Sequence, residues 1–196
     1  YDKVADRYDR LFGPLESRFL SKWREEALSM LPTDSLILEI GAGTGLNFRF
    51  YPQNCRGVAS EISSRMLCFA RPKINAKKIV LVQADAEQLP FEENSFDAIF
   101  ATLVFCSIPK PENAFGEIRR VVKNGGIVVL LEHVRPRGVL GYFFDFLNIF
   151  SVRLIEDHFN RQTALLAANS GLEIVEVREK VFGAVNLIVC RNPQPK

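Results

Sequence analysis

A glycine-rich turn is the first feature of this sequence that could do chemistry. Gly41, Gly43 and Gly45 alternate with small residues directly after the apolar run 36–40. Glycine lets the backbone approach a ligand closely, and a glycine turn between a strand and a helix is typical of nucleotide-binding sheets. Leu46 stands where the dinucleotide fingerprint has its third glycine, which disfavours a nicotinamide or flavin dinucleotide. Tight packing without any ligand is the structural alternative.

Three acidic residues stand near the ends of successive predicted strands. Glu39, two residues before the first glycine, would repel a phosphate and attract a cationic amino-acid group. Glu61 follows the turn by about twenty residues. At this spacing a carboxylate can accept hydrogen bonds from both hydroxyl groups of a ribose. The carboxylate of Asp85 could accept a hydrogen bond from the amino group of adenine. Capping of strand and helix ends would explain each acid singly, whereas together they predict a site for a cationic nucleoside.

The elements that must position these residues follow from the pattern of apolar runs. Short runs alternate with amphipathic stretches, which indicates parallel strands joined by helices. Two further runs, 172–181 and 185–190, are separated by so few residues that they must form an antiparallel hairpin. We therefore predict an α/β fold with a doubly wound, Rossmann-like sheet of seven strands, five parallel plus the C-terminal hairpin, with the reversed strand at its edge. The five parallel strands are predicted at residues 36–40, 56–60, 79–83, 96–102 and 127–132.

The composition excludes several classes of protein. The 196 residues carry 25 basic and 23 acidic side chains without a basic stripe, so we expect no nucleic-acid partner. The four cysteines are widely spaced and form no ligand pattern, which predicts reduced thiols, no metal site and a cytoplasmic protein. No apolar run reaches the roughly 18 residues that indicate a membrane span. Because the chain begins at Tyr1 rather than at methionine, we expect further sequence upstream, which could carry an anchor.

The motifs also resemble those of a known family. Residues 39–45, Glu61, residues 84–91 and residues 94–97 are similar to the motifs of the class I S-adenosylmethionine-dependent methyltransferases. They are most similar to those of the ubiquinone/menaquinone-biosynthesis methyltransferase-like group, and the similarity extends over the whole chain. The resemblance implies an enzyme that uses S-adenosyl-L-methionine as cofactor and releases S-adenosyl-L-homocysteine.

The same resemblance implies which residues contact the cofactor. Glu61 would bind the ribose hydroxyls, with Ile62 packing beside the adenine. Asp85 and Ala86 would bind the adenine edge. Tyr8, or Tyr1, lies in a segment that resembles the family's N-terminal lid and would close over the cofactor. The residues implied to line its methionine part are Glu39, Gly41, Ala42, Gly43, Thr102 and Leu103.

We expect residues 1–196 to form one methyltransferase domain. Its parts would be a helical lid over 1–34, a cofactor-binding core over 35–134, a substrate-side insertion and helix over 135–170, and a β-hairpin over 171–196. Aromatic residues are concentrated at 142–159, where they would face a hydrophobic substrate. A core-packing helix and an interfacial helix at a lipid surface are the alternatives for this segment.

A narrower similarity concerns residues 47–52, 102–107 and 131–134. They resemble the methyltransferase-like thiol methyltransferases found on membranes and lipid droplets. Those proteins carry an N-terminal anchor, and we expect none within residues 1–196. A peripheral membrane contact is therefore an alternative to a purely cytoplasmic location.

The function expected from these features is methyl transfer to a small lipophilic acceptor: a quinone precursor, a thiol or a phospholipid amine. Transfer from an activated sulfonium mainly needs positioning and exclusion of water, so a general base is optional. His133 and His158, the only histidines, are the candidates, and a structural role is the alternative for each. A non-catalytic cofactor-binding module and, less favoured, a nicotinamide-dependent oxidoreductase are the competing functions. The sequence does not specify the oligomeric state.

Overall fold

The computed structural model of the chain describes residues 20–74, 78–133, 162–181 and 183–194. Tyr8, His158 and the aromatic segment 142–159 lie outside the described residues. The predictions made for them therefore stay predictions.

Seven strands form one sheet, and the predicted runs coincide with them closely. Helices α1 (Ser21–Leu28), α2 (Ser64–Ala70), α3 (Pro111–Val121) and α4 (Thr163–Asn169) are described, together with short 3-10 turns at Phe48–Phe50, Arg71–Lys73 and Phe105–Ser107. The strands are β1 (Leu36–Ile40), β2 (Arg56–Glu61), β3 (Lys78–Gln83), β4 (Phe96–Thr102), β5 (Val122–His133), β6 (Glu173–Lys180) and β7 (Val185–Arg191).

The strand order is β3-β2-β1-β4-β5-β7-β6. Strands β1 to β5 run parallel to one another, and β7 is antiparallel to both β5 and β6. This confirms the predicted five parallel strands and hairpin. The prediction that the reversed strand lies at the edge is wrong, because β7 lies between β5 and β6. The apolar β7 is mostly buried there, whereas the charged β6 is mostly exposed at the edge, where charges oppose pairing with another chain.

Helices cover both faces of the sheet. In α3 the buried residues Ala114, Phe115, Ile118 and Val121 recur every three or four positions, so they form one helical face that packs on the sheet. Pro111 starts this helix, at a position where its missing N–H costs no hydrogen bond. The opposite face of the sheet packs against α1 and the turn at Phe48–Phe50.

Helix α1 is fixed to the sheet by both apolar and charged contacts. Ala27 and Leu28 are buried in the core, and the carboxylate of Glu26 accepts hydrogen bonds from Lys180 Nζ at 2.8 Å and Arg178 Nη1 at 3.2 Å on β6. The hydrogen bond from Lys180 is the main cause that lowers the pKa of Glu26. These contacts set the orientation of α1 over the sheet.

Within the described ranges, none of the helices combines the length and the apolar character that a bilayer span requires.

Candidate functional site

A cleft opens at the carboxyl ends of β1, β2, β3 and β4. The cleft contains about 950 Å³ of empty space, a volume that includes space open to solvent. Loops that follow parallel strands meet at this edge of an open sheet, which is where ligands of such folds bind. The predicted site residues that line the cleft are Gly41, Ala42, Gly43, Glu61, Ile62, Asp85, Ala86, Thr102 and Leu103.

The glycine turn forms the floor of the cleft. Gly41, Gly43 and Gly45 all have positive φ, of 66°, 55° and 81°, a conformation that strains other residues. A Cβ on Gly41 would lie 2.5 Å from a methyl carbon of Val104, so that glycine is required by packing. A Cβ on Gly43 would meet no atom within 4 Å. The backbone at Gly43 is therefore open to a ligand.

Glu61, at the end of β2, is held in a fixed orientation at the cleft. Its Oε2 accepts a hydrogen bond from the N–H of Gly43 at 2.9 Å, and its Oε1 accepts one from the N–H of Ser63 at 2.9 Å. Ser63 is itself the N-cap of α2, because its Oγ accepts from the N–H of Met66 at 3.0 Å. Each carboxylate oxygen can accept a second hydrogen bond. Glu61 can thus bind two hydroxyl groups without moving.

Ile62 and Asp85 lie on the β2 and β3 side of the cleft. Ile62 is 60% exposed although it is a large apolar residue, so it offers the surface on which a flat ring can pack. The Oδ1 of Asp85 accepts from the N–H of Glu87 at 2.8 Å, which fixes the side chain in a tight turn. An exposed carboxylate next to an apolar surface can accept hydrogen bonds from the edge of a purine.

Glu39 lies beneath the turn and is not among the residues that line the cleft. Its Oε1 accepts from Asn47 Nδ2 at 2.5 Å, and its Oε2 accepts from the hydroxyl of Tyr51 at 2.6 Å. Burial raises the pKa of Glu39 to about 7, although both hydrogen bonds oppose the change. Asn47 and Tyr51 thus cover the Glu39 carboxyl group, and the attraction between Glu39 and a ligand cation stays a prediction.

Arg24 of α1 lines the cleft instead and is 5% exposed. Its Nη1 donates to Asn47 Oδ1 at 2.9 Å and also to Thr102 Oγ1. Asn47 Nδ2 donates to the same Thr102 oxygen at 2.8 Å. Sequence reasoning missed Arg24 and Asn47. The only signal for Arg24 is that it shares a helical face with Ala27 and Leu28, which bury in the core.

The loop after β4 forms the far wall of the cleft, and sequence reasoning did not identify most of it. Leu103, Val104, Ile108 and Pro109 give this wall an apolar surface. Glu132, fully buried on β5, accepts hydrogen bonds from the N–H of Val104 at 3.0 Å and from the next N–H along the chain at 3.2 Å. A carboxylate that holds two backbone groups fixes the start of the loop.

His133 is the last residue of β5, is partly buried, and does not line the cleft. Cys106 is buried in the loop after β4. Among the residues that the structure describes, no group of three or more His, Cys, Asp or Glu side chains is placed to hold a metal ion.

The amino-acid sequence of the chain is similar to those of known methyltransferases. Residues 38–130 match a family described as a methyltransferase domain. A phosphatidylethanolamine N-methyltransferase of Cereibacter sphaeroides is 32% identical over 138 residues, which cover 68% of this chain and 66% of that protein, just under two thirds of its length. A demethylmenaquinone methyltransferase of Bacillus cereus is 24% identical over 225 residues, which cover 100% of this chain and 95% of that protein.

Solved structures share the fold over nearly their whole length. A Thermotoga maritima protein described as a possible histamine N-methyltransferase superposes with a TM-score of 0.76 and 24% identity, covering 98% of each chain. A Haloferax volcanii methyltransferase, solved in complex with an activator protein, gives a TM-score of 0.78 at 18% identity, covering 98% of this chain and 97% of that one. At these identities the likeness establishes the fold alone.

Proposed function

This chain belongs to the class I S-adenosylmethionine-dependent methyltransferases, and we propose that it methylates a small lipophilic acceptor. The observation that carries the proposal is the apolar wall of Leu103, Val104 and Ile108 on the β4 side of the cleft. The two relatives reported above are named for phosphatidylethanolamine and demethylmenaquinone, which are both lipids. Their names support a phospholipid amine or a quinone precursor as acceptor, with a hydrophobic thiol as the third candidate.

S-adenosylmethionine is the methyl donor of this family, and S-adenosylhomocysteine is the product. When bound, the cofactor supplies a methyl group on a cationic sulfonium, which a nucleophile displaces in line. The cleft fits such a group in three respects. Gly43 leaves its backbone open, Glu61 presents two oriented acceptor oxygens, and Ile62 exposes an apolar side chain beside them.

The sheet order supports one direction for the cofactor in the cleft. Glu61 binds the ribose hydroxyls, Ile62 packs against the adenine, and Asp85 with Ala86 binds the adenine edge. The methionine part then lies over Gly41, Ala42 and Gly43 and points towards Thr102 and Leu103 at the end of β4. In this proposal Glu39 acts indirectly, because its hydrogen bonds hold the Asn47 and Tyr51 side chains beneath the turn.

The chain's own contribution to methyl transfer is to hold the acceptor in line and to exclude water. The apolar wall can do both for a lipophilic molecule, because it removes water from the side of the cleft where the acceptor enters. A general base is needed only for an acceptor that must lose a proton. His133, at the end of β5, and His158 remain the candidates for that role.

A labelling experiment tests this proposal. The protein is incubated with methyl-labelled S-adenosylmethionine and one acceptor at a time: phosphatidylethanolamine vesicles, a demethylated naphthoquinol or a long-chain alkyl thiol. The products of each reaction are identified by mass spectrometry. Glutathione is the water-soluble counterpart of the thiol. We expect one lipophilic acceptor to gain the label and glutathione to gain none.

The matched control for this experiment is Glu61→Lys. The substitution replaces the ribose-binding carboxylate with a cation that cannot accept hydrogen bonds from the N–H groups of Gly43 and Ser63. We expect it to abolish labelling of every acceptor. Methylation of glutathione alone, or equal labelling by the Glu61→Lys variant, would overturn the proposal.

A further inference from the structure

We propose that Arg24 binds the carboxylate of the cofactor's amino-acid moiety and thereby makes the site specific for a ligand that carries this group. The inference rests on the proposed cofactor site, which it deepens by naming the residue that recognises one end of the molecule. Arg24 comes from helix α1, outside the glycine motif and outside residues 38–130 that match the methyltransferase family.

The position of Arg24 follows from the order of the strands. Its side chain donates to Thr102 at the end of β4 and to Asn47 after the glycine turn. Glu61 ends β2, which lies two strands from β4 in the sheet, a separation of about 10 Å at the usual strand spacing. A ligand whose ribose binds at Glu61 and whose chain runs over Gly43 therefore places its other end near Arg24.

The charges of the cleft differ between its two ends. Glu61 and Asp85 provide carboxylates on the β2 and β3 side, where an adenosine offers hydroxyl and amino donors. Arg24 provides a guanidinium on the β4 side, and the Glu39 carboxyl group lies behind Asn47 rather than in the cleft. This distribution suits a ligand with hydrogen-bond donors at one end and an anion at the other.

The chemistry of the guanidinium matches a carboxylate better than any other group of the cofactor. Arginine remains charged when buried, and its planar fork of five N–H donors pairs with the two oxygens of a carboxylate. The hydrogen bonds to Asn47 and Thr102 hold the side chain in place before the ligand arrives, which reduces the entropy lost on binding. Pairing of this charged kind is among the stronger hydrogen bonds in proteins.

Two ligands that differ only in the amino-acid moiety test the proposal. S-adenosylhomocysteine carries the carboxylate, whereas 5′-methylthioadenosine keeps the adenosine and the thioether but lacks the amino-acid part. Affinities of both are measured by calorimetry for the native protein, Arg24→Met and Arg24→Lys. We expect Arg24→Met to weaken S-adenosylhomocysteine by about 10- to 150-fold, the effect of one lost charged hydrogen bond, and to leave methylthioadenosine within about 3-fold. Arg24→Lys retains the charge and should lose less.

Arg49→Met is the matched control. Arg49 is exposed, lies over the ring of Phe50 and donates to Ser21 at the start of α1, so the variant removes an equal charge near α1 without altering the lining of the cleft. We expect it to leave both affinities unchanged. Circular dichroism confirms that each variant is folded, and Arg24→Lys carries the test if Arg24→Met does not fold.

Three outcomes contradict the proposal in distinguishable ways. Equal weakening of both ligands by the Arg24 variants would mean that Arg24 only supports the shape of the cleft. Unchanged affinity for S-adenosylhomocysteine would mean that Arg24 does not contact it. Failure of the native protein to bind either ligand would contradict the cofactor site itself, and with it the proposed function.

Discussion

The substitution Glu61→Gln tests the ribose assignment with minimal change of shape. The native carboxylate has four lone-pair sites, of which the N–H groups of Gly43 and Ser63 occupy two. Glutamine keeps one acceptor oxygen and replaces the other with an NH₂ donor. One ribose hydroxyl therefore loses its acceptor. We expect the affinity for S-adenosylhomocysteine to fall by about 10- to 150-fold, which corresponds to about 1.5–3 kcal/mol for a hydrogen bond to a charged group.

The same substitution also affects the fold, and the two effects can be separated. The new NH₂ faces the N–H of either Gly43 or Ser63, and a buried donor without an acceptor costs about 1–3 kcal/mol of stability. Calorimetry with S-adenosylhomocysteine and with its 2′,3′-dideoxy analogue isolates the ribose contribution. The native protein should discriminate strongly between the two ligands, and Glu61→Gln much less.

Glu92→Gln serves as the control, because Glu92 is exposed and does not line the cleft. It should bind both ligands as the native protein does. The reasoning is refuted if Glu61→Gln remains folded and binds S-adenosylhomocysteine within about 2-fold of the native affinity, since a loss of even 1.4 kcal/mol is tenfold.

Further predictions concern stability and reactivity. The pKa of Glu39 is raised from 4.5 to about 7 in the folded state, so its contribution to the free energy of unfolding is fully present below about pH 4.5 and falls by about 3 kcal/mol as the pH rises through 7. Urea unfolding at several pH values should show this fall in the native protein but not in Glu39→Gln; parallel pH profiles would contradict it. Gly41→Ala should lower the melting temperature more than Gly43→Ala, because both strain the backbone but only the first adds a clash, which costs about 1–3 kcal/mol. Gly43→Ala should instead weaken cofactor binding in calorimetry. Mild alkylation of the folded protein at pH 8, read by mass spectrometry, should modify the exposed Cys68 and spare Cys190, whose thiol is buried with a pKa raised to about 12; early labelling of Cys190 would refute this.

The parallel part of the sheet was predictable because β1 to β5 contain local apolar runs and the crossovers between them are locally amphipathic. The position of β7 was missed, although the two strands of the hairpin differ in their local sequence. What decides the order is the difference in charge: residues 173–180 carry five charged side chains and residues 185–191 carry one, so only β7 can be buried between two neighbours.

The candidate site was predictable where a residue stands at the end of a strand. The strand fixes the position of Glu61, and the parallel order brings it to the glycine turn. Arg24 and Asn47 could not be found in this way, because both contact Thr102 only in the folded chain. Thr102 is 78 residues away from Arg24 in sequence, and the two residues meet when α1 packs across the sheet. The covering of Glu39 by Tyr51 likewise depends on the 3-10 turn that places the ring in the core.

The wall proposed to face the acceptor is built differently from the floor proposed to face the cofactor. Leu103 has a φ of 58°, a left-handed conformation that costs a residue with a branched side chain about 1–2 kcal/mol. Its N–H donates to the carbonyl of Leu131 at 2.7 Å, and Glu132 holds the N–H of Val104, so β5 offsets this strain and fixes the loop. A wall held in one shape selects acceptors by the side chains it presents rather than by rearranging around them. Changes of acceptor should therefore follow substitutions at Val104 or Ile108 more readily than substitutions in the glycine turn.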